Sequence, residues 1–347
     1  MSKNPVLPAL IWRKRNQRRN ARMLRLHTPN RIEQSRYVPI GGIDQWITIR
    51  GEDRRNPVLL WIHGGPASTY SIFSPLLRSW ERSFTIVQWD QRGAGKTFRR
   101  NGKRGCAPLT FDRLAQDGLE VAEYLRSELG QPKLILIGSS AGSLTGALMA
   151  KSRPDLFAAY VGTDQNAPDP EHLAYRLTLD SLRAAGDAKG VQWMEALGPD
   201  PTKWSREQFD RRNRCAVKAI QDVPNMITDL ILPSMLSSPD HSLRDLIDIF
   251  QGMSYSLDHL FHGLAAFDFR ELGTRFELPF FIFQGDTDTL TPTAAAKAYF
   301  DEIEAPHKEF ALIKNAGHLA CFARPDQFLD ELLTRVRPLA VSSDSHF

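Results

Sequence analysis

The chain has 347 residues, 42% of them apolar and 24% charged, which suits a soluble globular protein with one large domain or two smaller ones. No apolar run reaches membrane-spanning length, and the start lacks the basic lead and cleavage site of a secretory signal. Cys106, Cys215 and Cys321 are odd in number and far apart; neither a disulfide framework nor a zinc site is expected, no cofactor is implied, and the cytoplasm is the default address.

Residues 1–35 form a basic arm. Positions 1–36 carry ten Lys or Arg against one acid, Glu33, while the formal charge of the whole chain is only +4. The basic pI thus belongs to the arm and not to the body, and no nucleic-acid partner is expected. Residues 13–26 fit a basic helix. Such a helix could make peripheral contact with an anionic membrane surface, but its apolar face is thin, and the plainer reading is a solvated or internally packed helix.

Beyond the arm, strand-like and helix-like segments alternate. Residues 36–40 and 45–50 read as paired opening strands and 58–62 (VLLWI) as a buried strand. Residues 84–89 form another, leading into a glycine-rich turn. A helical pattern covers 111–129 and stops at Gly130 and Pro132; strand 134–137, helix 143–151 and strand 159–162 follow. The alternation breaks near residue 165 and resumes near 276. Between these points the spacing predicts helices over 171–185, 191–197, 206–220, 227–236 and 243–267. Strand 280–283, helix 293–304, strand 309–313 and helix 326–336 close the pattern. The expected fold is therefore α/β, a mostly parallel sheet covered by helices on both faces. Residues 36–165 and 276–338 form its core, an all-helical cap over 166–275 precedes the last two strands, and 339–347 is a tail.

Residues 138–142 read Gly-Ser-Ser-Ala-Gly, a G-x-S-x-G pentapeptide centred on Ser140 between a strand and a helix. A serine in so tight a turn projects alone at a helix N-terminus, where developing negative charge is stabilised. A serine nucleophile also needs a base, an orienting carboxylate and donors for the oxyanion. Strand 280–284 runs into Gly285-Asp286-Thr287-Asp288, and strand 309–314 into Asn315-Ala316-Gly317-His318. His318 can serve as base, and either Asp286 or Asp288 can orient it. His63-Gly64-Gly65-Pro66 after strand 58–62 offers one backbone donor and Ala141 the other. In the cap, Phe261 and Phe267 are candidates to line a compact, partly apolar substrate site.

Competing readings of other residues are weaker. Residues 93–97 end like a phosphate-binding loop, but the required first glycine is Asp90. His259 and His262 share a helix face without a third ligand, and Cys321 reads as buried. Asp90, Arg92, Gly93 and Gly95 read as shaping a turn.

Taken together these motifs resemble the α/β-hydrolase superfamily, and within it the prolyl aminopeptidase-like group. The motifs are His63–Pro66, the Asp90-Gln91-Arg92-Gly93-Ala94-Gly95 turn, Gly138–Gly142, Gly285–Asp288 followed by Pro292, and Ala316–His318, all in family order. The resemblance implies Ser140 as nucleophile, Asp288 as the triad acid, His318 as base, and the N–H groups of Gly65 and Ala141 as the oxyanion hole. It implies hydrolysis of an amide or ester in a small molecule or short peptide through an acyl-enzyme. An aminopeptidase-like activity is the first expectation and a small-substrate esterase or lactonase the alternative; a binding protein on the same scaffold is a more distant one. Two positions depart from the group: Ala67 where a glycine is usual, and Ala141 where proline aminopeptidases carry Trp.

Overall fold

A computed structural model describes residues 11–219 and 222–341. Its centre is one eight-stranded sheet: β1 (Ile32–Ile40), β2 (Ile43–Gly51), β3 (Val58–Ile62), β4 (Thr85–Asp90), β5 (Leu134–Ser139), β6 (Phe157–Thr163), β7 (Phe280–Gly285) and β8 (Lys308–Ile313). The order is β1-β2-β4-β3-β5-β6-β7-β8. The β1–β2 and β2–β4 pairs are antiparallel and all the others parallel.

The sequence pattern explains the layers. Strands β3 to β7 are buried along their whole length, as expected when both faces are covered. Alternation sends Val58, Leu60 and Ile62 into one apolar cluster with Leu134 and Leu136. Leu59 and Trp61 enter the opposite cluster with Ile135 and Ile137. On that second face Trp61 stacks on Trp80 at 5.5 Å and on Phe322 at 5.4 Å, and Phe73 stacks on Phe322 at 3.9 Å. The opening hairpin begins and ends further out than its hydrophobic pattern suggests. Ile32 pairs with Gly51, and Gly41 and Gly42 make a tight turn with φ of +56° and +77°, the conformation a two-residue hairpin turn requires.

The helix after β4 was not foreseen. After β4 the glycine-rich turn opens a helix, Gly95–Gly105, interrupted by Gly102 at φ 65°. Its composition is poor for a helix, so tertiary partners hold it. Asp90 Oδ2 accepts the Lys96 N–H at 2.8 Å at the helix N-terminus, and Thr97 Oγ1 donates to Asp90 O at 2.5 Å. Burial pushes the Asp90 carboxyl up to about 6, against the Lys96 N–H and Thr69, which favour its charge. Behind this turn the Arg92 guanidinium is buried against Asp117, with Nε at 2.7 Å from Oδ2, and also donates to Gly41 O and Gly105 O. These residues shape the turn, as their sequence context suggests.

The segment between β6 and β7 is helical: Leu173–Ala184, Ala188–Leu197, Arg206–Ala219, Met226–Ser237, Leu243–Ala265 and Phe269–Leu272. The longest of these, starting in a Ser242/Asp245 capping box, lies on the Gly95–Gly105 helix. The basic arm is a helix from Arg13 to Met23 packed on Leu232–Ser237. Gln17 and Asn20 donate to Ser238 O at 2.7 Å and Ser237 O at 3.0 Å, and Arg13 donates to His241 O at 2.9 Å. The Gln17 and Asn20 donors satisfy carbonyls that the C-terminus of the Leu232–Ser237 helix leaves open. At the other end of the chain, the helical course continues past residue 338 to Val341, and the rest of the expected tail lies outside the described residues. No helix among the described residues is long and apolar enough to cross a membrane.

Candidate active site

Ser140 sits between β5 and the helix Ala141–Ser152, with φ 53° and ψ −129°. A non-glycine residue held there stores about 1–3 kcal/mol of strain. Its surroundings fix it: Ser140 N donates to Thr163 O at 3.2 Å, and Ser143 Oγ donates to Ser140 O at 2.6 Å. The flanking glycines are required by close approach. A Cβ on Gly142 would lie 2.3 Å from Ile62 O, and one on Gly138 would lie 2.9 Å from Gly142 O.

His318 Nε2 lies 3.0 Å from Ser140 Oγ, and Nδ1 lies 2.9 Å from Asp288 Oδ2. With Nδ1–H donated to the carboxylate, Nε2 is the acceptor facing the serine. Asp288 is 2% exposed and held from several sides. Its Oδ1 accepts the N–H groups of Leu290 and Thr291 at 2.8 and 3.1 Å, and Oδ2 accepts Thr291 Oγ1 at 2.8 Å. Gln284 Nε2 ties the same loop through Thr291 O at 2.8 Å. Asp286, the other acid left open by spacing, instead accepts the Ala316 N–H at 3.2 Å and so anchors the loop that carries the histidine.

A second buried acid stands beside these three residues. Asp164, just past β6, accepts the N–H groups of Leu319 and Ala320 at 2.8 and 3.2 Å on Oδ1, and Ser139 Oγ at 3.0 Å on Oδ2. Tyr70 Oη joins the chain at 2.9 Å from Ser139 Oγ. One ligand-type atom each from Asp164, Asp288 and His318 lies within 4.8 Å of the others. Every one of them is already engaged in the hydrogen bonds just described, so the network accounts for the cluster without a cation.

These acids set the protonation of His318. Burial alone would lower the His318 imidazole, but the charges of Asp288 and Asp164 outweigh it and push the group up to about 9. Burial also raises the Asp164 carboxyl, with the neighbouring His318 opposing. A base must be neutral to accept a proton, so kcat/KM is expected to rise about tenfold per pH unit from neutrality and to level off near pH 9. A pH–rate profile on a neutral substrate checks this; a plateau already reached at pH 7 would contradict it.

Near the serine, the Gly65 and Ala141 N–H groups have no acceptor among the described residues. His63 is buried and kept neutral, with burial holding it down to about 4, and its Nε2 accepts the Gln91 N–H at 3.2 Å. It serves the loop and is no rival base. The Cys321 thiol is buried and pushed up by desolvation, the state of an inert thiol. Phe261 is 2% exposed and packs on Phe209 at 5.3 Å within a cap cluster with Trp204 and Leu257. Phe267 packs edge-on against Phe111 and Phe269. The Phe261 ring is thus committed to packing inside the cap, while Phe267 is only half-buried. His259 turns Nδ1 to Tyr255 O at 2.8 Å.

The model of the alpha/beta hydrolase fold matches residues 57–185, which hold β3 to β6 and the serine turn. The chain has the α/β-hydrolase fold. Two curated relatives align with most of this chain. A Bacillus subtilis protein named "Probable aminopeptidase YbaC" is 27% identical over 320 residues, 86% of this chain and 95% of the relative. A proline iminopeptidase of Lactobacillus delbrueckii subsp. bulgaricus is 22% identical over 302 residues, 86% and 96% of the two chains. Among solved structures, a thermophilic esterase from Thermogutta terrifontis superposes with a TM-score of 0.52 at 19% identity, covering 89% of this chain and 99% of its own.

Sequence reasoning missed Asp164, Tyr70 and Arg212, a cap residue 4% exposed whose Nη2 donates to Thr289 O at 3.3 Å. For Asp164 a signal existed: it follows β6 just as Asp288 follows β7.

Proposed function

We propose that this hydrolase cleaves an amide or ester bond through an acyl-enzyme formed on Ser140. The observation that carries the reading is the unbroken line of contacts from Ser140 Oγ through the His318 ring to Asp288, at 3.0 and 2.9 Å. In the first step Nε2 takes the hydroxyl proton as Oγ bonds to the carbonyl carbon. Asp288 and Asp164 stabilise the imidazolium, and the Gly65 and Ala141 N–H groups receive the oxyanion. His318 then passes its proton to the leaving amine or alcohol, and water repeats the sequence on the acyl-enzyme. Each oxyanion donor is worth about 3–4 kcal/mol in such a transition state.

The names of the curated relatives support an aminopeptidase-like substrate. One observation favours the ester reading beside it. An aminopeptidase needs a carboxylate for the substrate's ammonium group. Yet Asp169, whose charge reaches Arg212, spends both oxygens on the N–H groups of Leu173 and Ala174. The cap instead brings a cation to the loop after Asp288, where Arg212 Nη2 donates to Thr289 O at 3.3 Å.

A fluorophosphonate probe is expected to label the protein once, with the adduct on the peptide containing Ser140. No adduct, or one on another residue, would overturn the mechanism. Panels of aminoacyl arylamides and short acyl esters then separate the two substrate classes, since absence of turnover on every amide ends the aminopeptidase version.

A further inference from the structure

Two arginines are almost fully buried, and only one is paired. Arg92, 3% exposed, holds Asp117 through two nitrogens and two carbonyls besides. Arg212, 4% exposed, has no carboxylate within 4.0 Å among the described residues. Its Nη1 donates to the neighbouring Asn213 Oδ1 at 2.9 Å and its Nη2 makes the long 3.3 Å bond to Thr289 O, while Nε is buried without any partner. Thr289 Oγ1, in the loop that follows Asp288, is likewise buried and unpartnered. A cation taken out of water is costly unless an anion completes its hydrogen bonds.

The nearby acids do not complete them. Asp169 caps a helix with both oxygens, and Asp288 gives its oxygens to Leu290, Thr291 and His318. Burial pulls the Arg212 guanidinium down to about 10, with Asp169 and Asp288 opposing, so it is charged at neutral pH. Its Nη2 contact with Thr289 O, one residue past Asp288, places it against the loop that carries that acid, and its charge opposes protonation of His318.

The geometry points to Arg212 as the receptor for a carboxylate on the substrate, the guanidinium and Thr289 Oγ1 donating to it while Ser140 attacks a neighbouring ester or amide carbonyl. The substrate class is then a monoester or monoamide carrying a free carboxylate a few bonds from the scissile carbonyl. This deepens the serine-hydrolase reading and rests on it for the chemistry. An α-ammonium group at the same place would be repelled.

The test pairs two p-nitrophenyl esters, one of succinate with its second carboxyl free and one with that carboxyl as the methyl ester. The wild type is expected to favour the anionic ester by about 10- to 100-fold in kcat/KM, as charge-assisted hydrogen bonds allow. In Arg212→Gln this ratio should collapse towards one, and Arg212→Lys should keep part of it. An arginine that merely ties the cap to Thr289 would lower both esters together and leave the ratio intact, which overturns the proposal, as does a wild type with no preference. A second readout does not need catalysis. Succinate and glutarate should raise the Tm of the wild type and not that of Arg212→Gln, and failure of both diacids to stabilise the wild type also overturns it. Should Ser140 escape the fluorophosphonate probe while the diacids still bind through Arg212, the hydrolase mechanism falls and the anion site stands.

Discussion

Ser140→Ala is expected to lower kcat by roughly five to six orders of magnitude, leaving a residual of about 10³–10⁴ over the uncatalysed reaction from the oxyanion donors and binding. The magnitude follows from the loss of the covalent step: water held near His318 would have to attack directly, without the oxygen placed 3.0 Å from Nε2. Folding should be almost untouched. The Ser140 side chain caps nothing in its helix, and alanine inherits the same φ of 53°, so the change in unfolding free energy should stay within about 1 kcal/mol. Turnover measured alongside thermal melting separates the two effects. Retention of a tenth of the wild-type rate would remove Ser140 from the mechanism.

Asp117→Ala is expected to have the largest effect on stability, a loss of about 3–5 kcal/mol. The reason is what stays behind. Arg92 is 3% exposed and would keep its charge with only carbonyls to meet it. Arg113 Nη2, at 2.5 Å from Asp117 Oδ1, and Gln45 Nε2, at 2.8 Å from Oδ2, would lose the same acceptor. Replacing both ends of the pair, as Arg92→Met with Asp117→Leu, should cost much less, because no unpaired charge is left. Denaturant melts of the three variants decide the matter. A single-variant loss under about 1 kcal/mol would mean that water reaches this site.

Much of the architecture was legible because the signals were local and mutually consistent. An apolar run of strand length, a glycine-flanked serine and a helical period meet at Ser140, and each alone would have been ambiguous. His318 and Asp288 were found by the rule that functional side chains follow strand C-termini. Which of Asp286 and Asp288 faces the imidazole was not legible from spacing, since two positions apart in a loop turn to different partners only in three dimensions; the family resemblance had to separate them. Asp164 satisfies the strand-end rule equally and was overlooked because a motif already supplied one acid. The Gly95–Gly105 helix was hidden by its composition, as its stability comes from Asp90 and from the cap helix above it. Arg212 could have been singled out. It shares a helical face with Phe209 and Ala216, a lone cation on an apolar stripe, but among so many arginines in that helix it read as one more solvated charge.

The hydroxyl–imidazole contact closes a sequence separation of 178 residues, and the imidazole's carboxylate partner lies only 30 residues before it. The serine turn is complete once β5 and its helix are made, whereas β7 and β8, which carry both partners, follow only after the long helical segment. A nascent chain on the ribosome therefore emerges with an unassisted alcohol, and so does any product truncated before residue 318. Oxygen, ring and carboxylate can meet only when β7 and β8 dock at the sheet edge, so the proposed reactivity of Ser140 is tied to closure of that edge and not to the serine turn alone.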